Sequence, residues 1–471
     1  MKIKLKKAVC LLLVSLTVLG SAGCGEGGGS VASLEELYIP TYIDNGQRHR
    51  TMASLPPNMS SREQVETYAA CGLNAVPYTE DFFSVEDVLL QGERSLYLQG
   101  LKVCEEYGID AFIRPHSVHT SEIPSDVPCY YEQYFSDVDF RDYPAVKGFF
   151  VVDEPSYGQL NDLEDRYLTW FNENYGGEGY EFFANLFSRY VLNWRKGEYI
   201  DKTYNDYAEK YLSILDNAQA VNKHFSIDYY ALRRTESSVY MADTNLMTHA
   251  DAATRAKAHG MGMGAYVQVF GGLADGQSYR LPTTYAEVDW GVNNLLSFGA
   301  TTLKFFHYRE YKKDNLLGML TEGEPNERYY WTQQALETLR KWDHVILSYT
   351  WDHIYTNVGT GSRDANNPAF EYVRTIEKPI TNVTKVQSKY DITMNEFTDG
   401  DGTKAFMLCN YDEPLMGRTN KTTITFKEAQ GVLYYRNGEP VTELLNGGKF
   451  EIELNAGEGV FVIPLYKNQK K

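Results

Sequence analysis

Val146-Lys147-Gly148-Phe149-Phe150-Val151-Val152-Asp153-Glu154-Pro155 joins an apolar run to two carboxylates and a proline. Apart from Lys147 and Gly148 the run is bulky and apolar without alternation, as a parallel strand covered on both faces requires. Proline cannot extend the ladder of an interior strand, so the chain turns at Pro155. Asp153 and Glu154 are thereby left at the C-terminal end of a buried strand.

The same texture recurs on both sides of this stretch. Short apolar runs at 73–78, 109–114, 180–186, 224–230, 264–270 and 300–308 alternate with helical patterns at 61–71, 93–107, 206–222 and 327–347. A further helix ends near Gly260, and another closes at Gly299. Ser61-Arg62-Glu63-Gln64 and Thr284-Tyr285-Ala286-Glu287 have the spacing of capping boxes. With a first strand at 36–42 the count closes at eight, which predicts an α/β-class (β/α)8 TIM barrel over 34–348. From about Trp351 the helical pattern stops. Alternating runs at 370–375, 404–409, 422–426, 432–435, 450–454 and 459–464, with Asn-Gly and Asp-Gly turns, predict a small all-β sandwich over 349–471.

The N-terminus reads as an export signal. Lys2, Lys4, Lys6 and Lys7 precede the apolar run 8–19, and Ser21-Ala22-Gly23-Cys24 supplies small residues up to a cysteine. Residues 1–24 resemble a bacterial lipoprotein signal, which implies lipidation of Cys24 and attachment to the extracytoplasmic face of the membrane through that anchor. The Gly- and Ser-rich segment 25–33 is a flexible tether. The net charge of −18 excludes nucleic acid and anionic lipid as partners on electrostatic grounds. Cys71, Cys104, Cys129 and Cys409 lack zinc-type spacing and read as buried thiols.

Barrel enzymes carry their chemistry at the C-terminal ends of the strands. Reading those ends in turn gives Tyr78, Glu80 and Asp81, then Arg114 and His116, Asp153 and Glu154, Asn185, Asp228 with Tyr229 and Tyr230, Gln268, and finally His307, Tyr308, Arg309 and Glu310. Arg114, Asn185, Gln268 and His307 offer directional hydrogen bonds to hydroxyl groups, and Tyr78, Tyr229, Tyr230 and Tyr308 offer rings that stack on sugar faces. Tyr190 and Trp194 are candidates for an outlying subsite. His116 and His119 have no acidic partner at ligand spacing, so neither a metal nor a cofactor is expected.

The stretch 148–155 resembles the strand-four motif of glycoside hydrolase clan A, where an Asn-Glu-Pro turn presents the acid/base glutamate. Asp228-Tyr229-Tyr230, Tyr266-Val267-Gln268 and Phe305-Phe306-His307-Tyr308 follow the order of bacterial barrel glycosidases with a C-terminal sandwich. The resemblance implies a glycosidase acting on an oligo- or polysaccharide, with Glu154 as general acid/base. Such chemistry needs a second carboxylate to attack or to activate water. The clan places a nucleophilic glutamate at the end of strand seven, whereas this chain has Gln268, an amide that cannot serve. Asp228, Glu310 and Asp153 remain as replacements, with Asp228 favoured and Glu310 second. The alternative reading is a catalytically silent barrel that binds carbohydrate at the cell surface.

Overall fold

Eight parallel strands, covered on one side by each other and on the other by helices, ring one axis in the computed structural model. The structure describes residues 33–79, 95–114, 129–189, 202–242, 244–274, 277–310, 316–357, 359 and 368–467. The barrel strands are β1 (Arg50–Ala53), β2 (Ala75–Tyr78), β3 (Asp110–Ile113), β4 (Val146–Asp153), β5 (Glu181–Phe187), β6 (His224–Asp228), β7 (Gly262–Gln268) and β8 (Ala300–Phe306). They pair in the order β1-β8-β7-β6-β5-β4-β3-β2. The ring closes between β1 and β2, where the Asn74 N–H donates to the Thr51 carbonyl at 3.0 Å and the Thr51 N–H donates to Asn74 Oδ1 at 2.8 Å.

Gly148 interrupts the apolar run of β4 because β5 approaches closely there. A Cβ at that position would stand 2.3 Å from the Glu181 carbonyl oxygen. Between β6 and its helix (Asn245–Ala258), and between β7 and its helix (Tyr285–Ser297), the chain makes two short hairpins. These combine into a four-stranded antiparallel sheet of Gly272–Ala274, Gln277–Tyr279, Leu232–Arg234 and Val239–Met241.

The C-terminal strands are β9 (Tyr349–Asn357), β10 (Val383–Ser388), β11 (Ile392–Asp399), β12 (Lys404–Asn410), β13 (Asn420–Phe426), β14 (Gly431–Arg436), β15 (Glu439–Leu444), β16 (Lys449–Leu454) and β17 (Gly459–Leu465). A six-stranded sheet, β9-β11-β12-β17-β14-β15, faces a three-stranded sheet, β10-β13-β16. Alternation along β12 and β17 explains their unbroken apolar runs. Phe406, Leu408, Val460 and Val462 fill the space between the two sheets, while Met407, Cys409, Phe461 and Ile463 join the barrel's core. Asn395 ties the two parts together, accepting from the Trp351 indole at 2.8 Å and donating to Ser297 at 3.3 Å.

Several expectations are corrected. The first barrel strand is β1 at Arg50–Ala53, not 36–42. The earlier segment instead runs beside the end of β17, with the Tyr38 N–H donating to the Tyr466 carbonyl at 3.1 Å. Ser61 makes no side-chain cap, and Gln64 Oε1 accepts from the Asn58 N–H at 3.0 Å, so the expected box does not form there. The Thr284 capping box forms as expected. Residues 370–375 belong to a helix, Pro368–Ile376, opened by a proline at its first position. The last barrel helix is two helices, Glu327–Arg340 and Asp343–Ile346. The four cysteines Cys71, Cys104, Cys129 and Cys409 are buried free thiols. Among the described residues no helix is long and apolar enough to cross a membrane. The export segment, with Cys24 and nearly all of the tether, lies outside the described residues.

Candidate active site

The barrel interior is layered from its floor to its mouth. At the floor the Arg50 guanidinium pairs with both oxygens of Glu181, which also accepts from Asn222 at 2.8 Å. Above it Met52, Ala75, Phe112, Phe150 and Phe183 form an apolar plug. Lys304 lies on this plug, wholly buried, with its ammonium 4.9 Å from the ring centroids of both Phe150 and Phe183. The polar mouth begins at that level.

A chain of hydrogen bonds climbs from Lys304. Its Nζ donates to Ser226 Oγ at 2.6 Å, and Ser226 donates to Asn185 Oδ1 at 2.8 Å. Asn185 Nδ2 donates to Asp153 Oδ1 at 3.1 Å, and Arg114 donates to Asp153 Oδ2 at 2.9 Å. Asp153 thus has both carboxylate oxygens held by donors from β5 and the end of β3.

Successive residues of a regular strand face opposite ways, yet Asp153 and Glu154 both reach the mouth. Two backbone features re-aim them. Between Phe150 and Asp153 strand β4 carries one residue more than β5, a β-bulge. Glu154 then takes a left-handed φ of +50°. A non-glycine residue held in that region costs on the order of 1–3 kcal/mol. The Glu154 N–H is fixed by the Asn185 carbonyl at 2.7 Å.

This turn brings the Glu154 carboxyl against that of Asp228, at the end of β6, and the two are hydrogen bonded. Burial, and then the negative charge of Asp153, pushes the Asp228 carboxyl up to about 7. The contact with Glu154 acts in the other direction and favours the Asp228 carboxylate. Two carboxyls in contact cannot both ionise readily, so the pair holds a shared proton and titrates as a unit. Tyr230 and Tyr266, with ring centroids 6.2 Å apart, stand beside the acidic cluster. Ser54 Oγ donates to the Tyr266 hydroxyl at 3.1 Å.

Asp228 carries a stability signature. The folded chain keeps its proton between pH 3.8 and about 7, where the unfolded chain has lost it. Its contribution is therefore complete below the lower value and lost as pH rises through the upper one. Asp228→Asn carries no charge to desolvate, so thermal scans should find it about 0.5–2 kcal/mol more stable than the parent above pH 7. The two should converge near pH 4.

Other expected site residues are placed elsewhere. Gln268, read from the sequence as a sugar contact, is buried and uses its amide as a brace. Its Oε1 accepts from the Leu232 N–H at 2.9 Å, and its Nε2 donates to the Leu232 carbonyl at 3.0 Å and the Arg280 carbonyl at 2.9 Å. The glutamine at the end of β7 therefore holds the two hairpins above the barrel. His307 is wholly buried, its Nδ1 bonded to the Arg309 carbonyl, and burial pulls its ring down to about 4. Tyr308 packs outside the barrel, 5.0 Å from the Tyr68 ring. Tyr78 and Tyr229 are likewise buried, so of the four strand-end tyrosines Tyr230 reaches the mouth. Glu310 Oε1 accepts from the Glu322 N–H at 3.1 Å, in the turn between Leu320–Thr321 and Glu324–Pro325. Glu80, Asp81, His116, His119, Tyr190 and Trp194 lie outside the described residues.

The sequence reading missed Lys304, Ser226, Tyr266 and Ser54. Lys304 did leave a signal. It is a charged residue inside the β8 run Ala-Thr-Thr-Leu-Lys-Phe-Phe, two positions from the inward Phe306. A lysine in a strand buried on both faces needs a polar partner.

No protein-family model matches the chain, and no characterised protein matches it in sequence. Solved structures do resemble it. A glycoside hydrolase family 5 protein from Bacteroides vulgatus superposes with a TM-score of 0.50 at 10% identity, over 94% of each chain. A second glycoside hydrolase gives 0.50 at 12% identity, over 94% of this chain and 97% of its own. A family 27 β-L-arabinopyranosidase from Geobacillus stearothermophilus gives 0.47 at 12% identity, over 90% of this chain and 97% of its own. Identities this low speak for architecture alone, and on that ground the chain shares the (β/α)8 barrel fold of glycoside hydrolases.

Proposed function

We propose that this chain is an exported glycoside hydrolase, anchored through a lipid on Cys24, that cleaves O-glycosidic bonds of an oligo- or polysaccharide. The observation that carries the reading is the hydrogen-bonded Glu154–Asp228 pair at the mouth of the barrel. Glycoside cleavage needs one carboxyl that holds a proton and a second that is ionised. A pair sharing one proton supplies both. Glu154 protonates the departing glycosidic oxygen as the C1–O bond breaks, and Asp228 attacks C1 or takes a proton from the attacking water. The carboxyls of retaining enzymes stand roughly 5–5.5 Å apart and those of inverting enzymes roughly 6.5–9.5 Å. A sugar entering the site must therefore part the two, and the gap it opens sets the stereochemical outcome. Asp153, clamped by Arg114 and Asn185, places negative charge beside the reacting centre, and Tyr230 offers a ring to the sugar.

Asp228 must be ionised for turnover, so kcat/KM rises as pH increases through about 7. Asp153→Asn removes a charge that opposes that ionisation. It should move this acid limb down by about 1 pH unit, as read from kcat/KM against pH on an aryl glycoside.

The reading is tested by incubating the purified protein with a panel of plant and host glycans and measuring both released sugar and binding. Release of sugar supports the hydrolase. Binding with no release from any glycan favours the silent carbohydrate-binding barrel, to which the glutamine at the end of β7 also lends weight.

A further inference from the structure

Lys304 has no place in the reaction just described, yet it lies against the buried plug and is joined to the acidic cluster through Ser226 and Asn185. An ammonium group has three donors and no acceptor. Its bond to Ser226 Oγ therefore makes Ser226 use its own proton elsewhere, and that proton goes to Asn185 Oδ1. The Asn185 amide is then fixed in one of its two orientations, with Nδ2 toward Asp153. Reversed, it would point Oδ1 at a carboxylate. Asn185 also holds the Glu154 N–H through its carbonyl, so one residue orients both members of the Asp153-Glu154 turn.

We propose that Lys304 is a positioning residue whose charge, passed through Ser226 and Asn185, sets the orientation of the Asp153-Glu154 turn and thereby the proton held by Glu154 and Asp228. The proposal rests on the hydrolase reading for its consequence in turnover, but the relay itself does not depend on it. The charged and titratable groups facing Lys304 are Arg50 on β1, Arg114 after β3, Asp153 on β4, His224 and Asp228 on β6, and Tyr266 on β7. Burial is the largest influence on the Lys304 amine and pulls it down to about 7; Asp153 opposes this and Arg114 adds to it. Lys304 and the carboxyl pair thus change charge in the same range of pH. When the amine loses its proton, Ser226 is free to donate to Nζ and the amide of Asn185 is released.

The test reads the carboxyls directly. Infrared difference titration of the protonated carboxyl stretch gives the midpoint of the Glu154–Asp228 pair without any substrate. Asp228→Asn identifies the band, and circular dichroism establishes that each variant is folded. Lys304→Met fills the same slot with no charge and no donor, and should raise the midpoint by about 1–3 pH units. Ser226→Ala keeps the charge and cuts the relay, and should raise the midpoint by a smaller amount. An unchanged midpoint in either folded variant overturns the proposal: in the first case Lys304 does not act on the pair, and in the second it acts through space without the relay. Should Lys304→Met fail to fold, Ser226→Ala decides alone. Because these titrations need no turnover, failure of the hydrolase reading shows in the glycan panel and leaves this result standing.

Discussion

Glu154→Gln is expected to lower turnover of a natural glycan by about 10²–10⁴-fold, with binding retained. The amide keeps the shape of the side chain and can still hydrogen bond to Asp228, but it has no proton to give the departing oxygen. The size of the loss should depend on the leaving group. A sugar alcohol is a poor leaving group and needs the proton, whereas a dinitrophenolate leaves without it. On a dinitrophenyl glycoside the loss should therefore be small. Asp228→Asn behaves in the opposite way, because its role, attack or activation of water, is needed with either leaving group. Comparing the two variants on the two substrates assigns the roles. Equal losses on both substrates for Glu154→Gln would remove it from the role of acid, and full activity on the glycan would remove it from catalysis.

The sequence made Glu154 visible and its partner only partly so, for a physical reason. A parallel strand buried on both faces is mostly apolar, so the point where polarity returns marks the rim. That rule located Asp153, Glu154, Asn185 and Asp228, which the structure gathers at one mouth. It also located Gln268, His307 and Tyr308, which are buried for structural ends, because a strand end reveals polarity but not direction. Direction here depends on features with no period: one extra residue in β4 against β5 and a left-handed φ at Glu154. Neither glycine nor asparagine announces that turn. The same limit applies to β1, only four residues long and begun by an arginine, so the more apolar 36–42 competed for its place. Its true role followed from pairing with β8, a contact about 250 residues distant in sequence that no local pattern encodes.

That arginine supports the second large effect. Arg50→Met is expected to destabilise the fold by about 3–5 kcal/mol at neutral pH, because it leaves the Glu181 carboxylate buried without its partner. Glu181 is 3% exposed, and burial already pushes its carboxyl up despite Arg50. Asn222 donates one further hydrogen bond, while Asp110 adds repulsion. With Arg50 gone, Glu181 must bind a proton to stay in the folded chain, whereas the unfolded chain ionises it above about 4.5. The deficit should accordingly be smallest near pH 4 and grow toward neutrality, as followed by urea unfolding across that range. Neutralising the partner should reverse most of it: in Arg50→Met/Glu181→Leu the buried Glu181 carboxylate is gone, and an apolar floor continues the plug of Phe112, Phe150 and Phe183 above it. A double variant as unstable as Arg50→Met alone would show that the loss comes from packing, since the guanidinium also lies 4.6 Å from the Phe112 ring centroid. Recovery in the double variant, with turnover intact, would separate the floor of the barrel from the chemistry at its mouth.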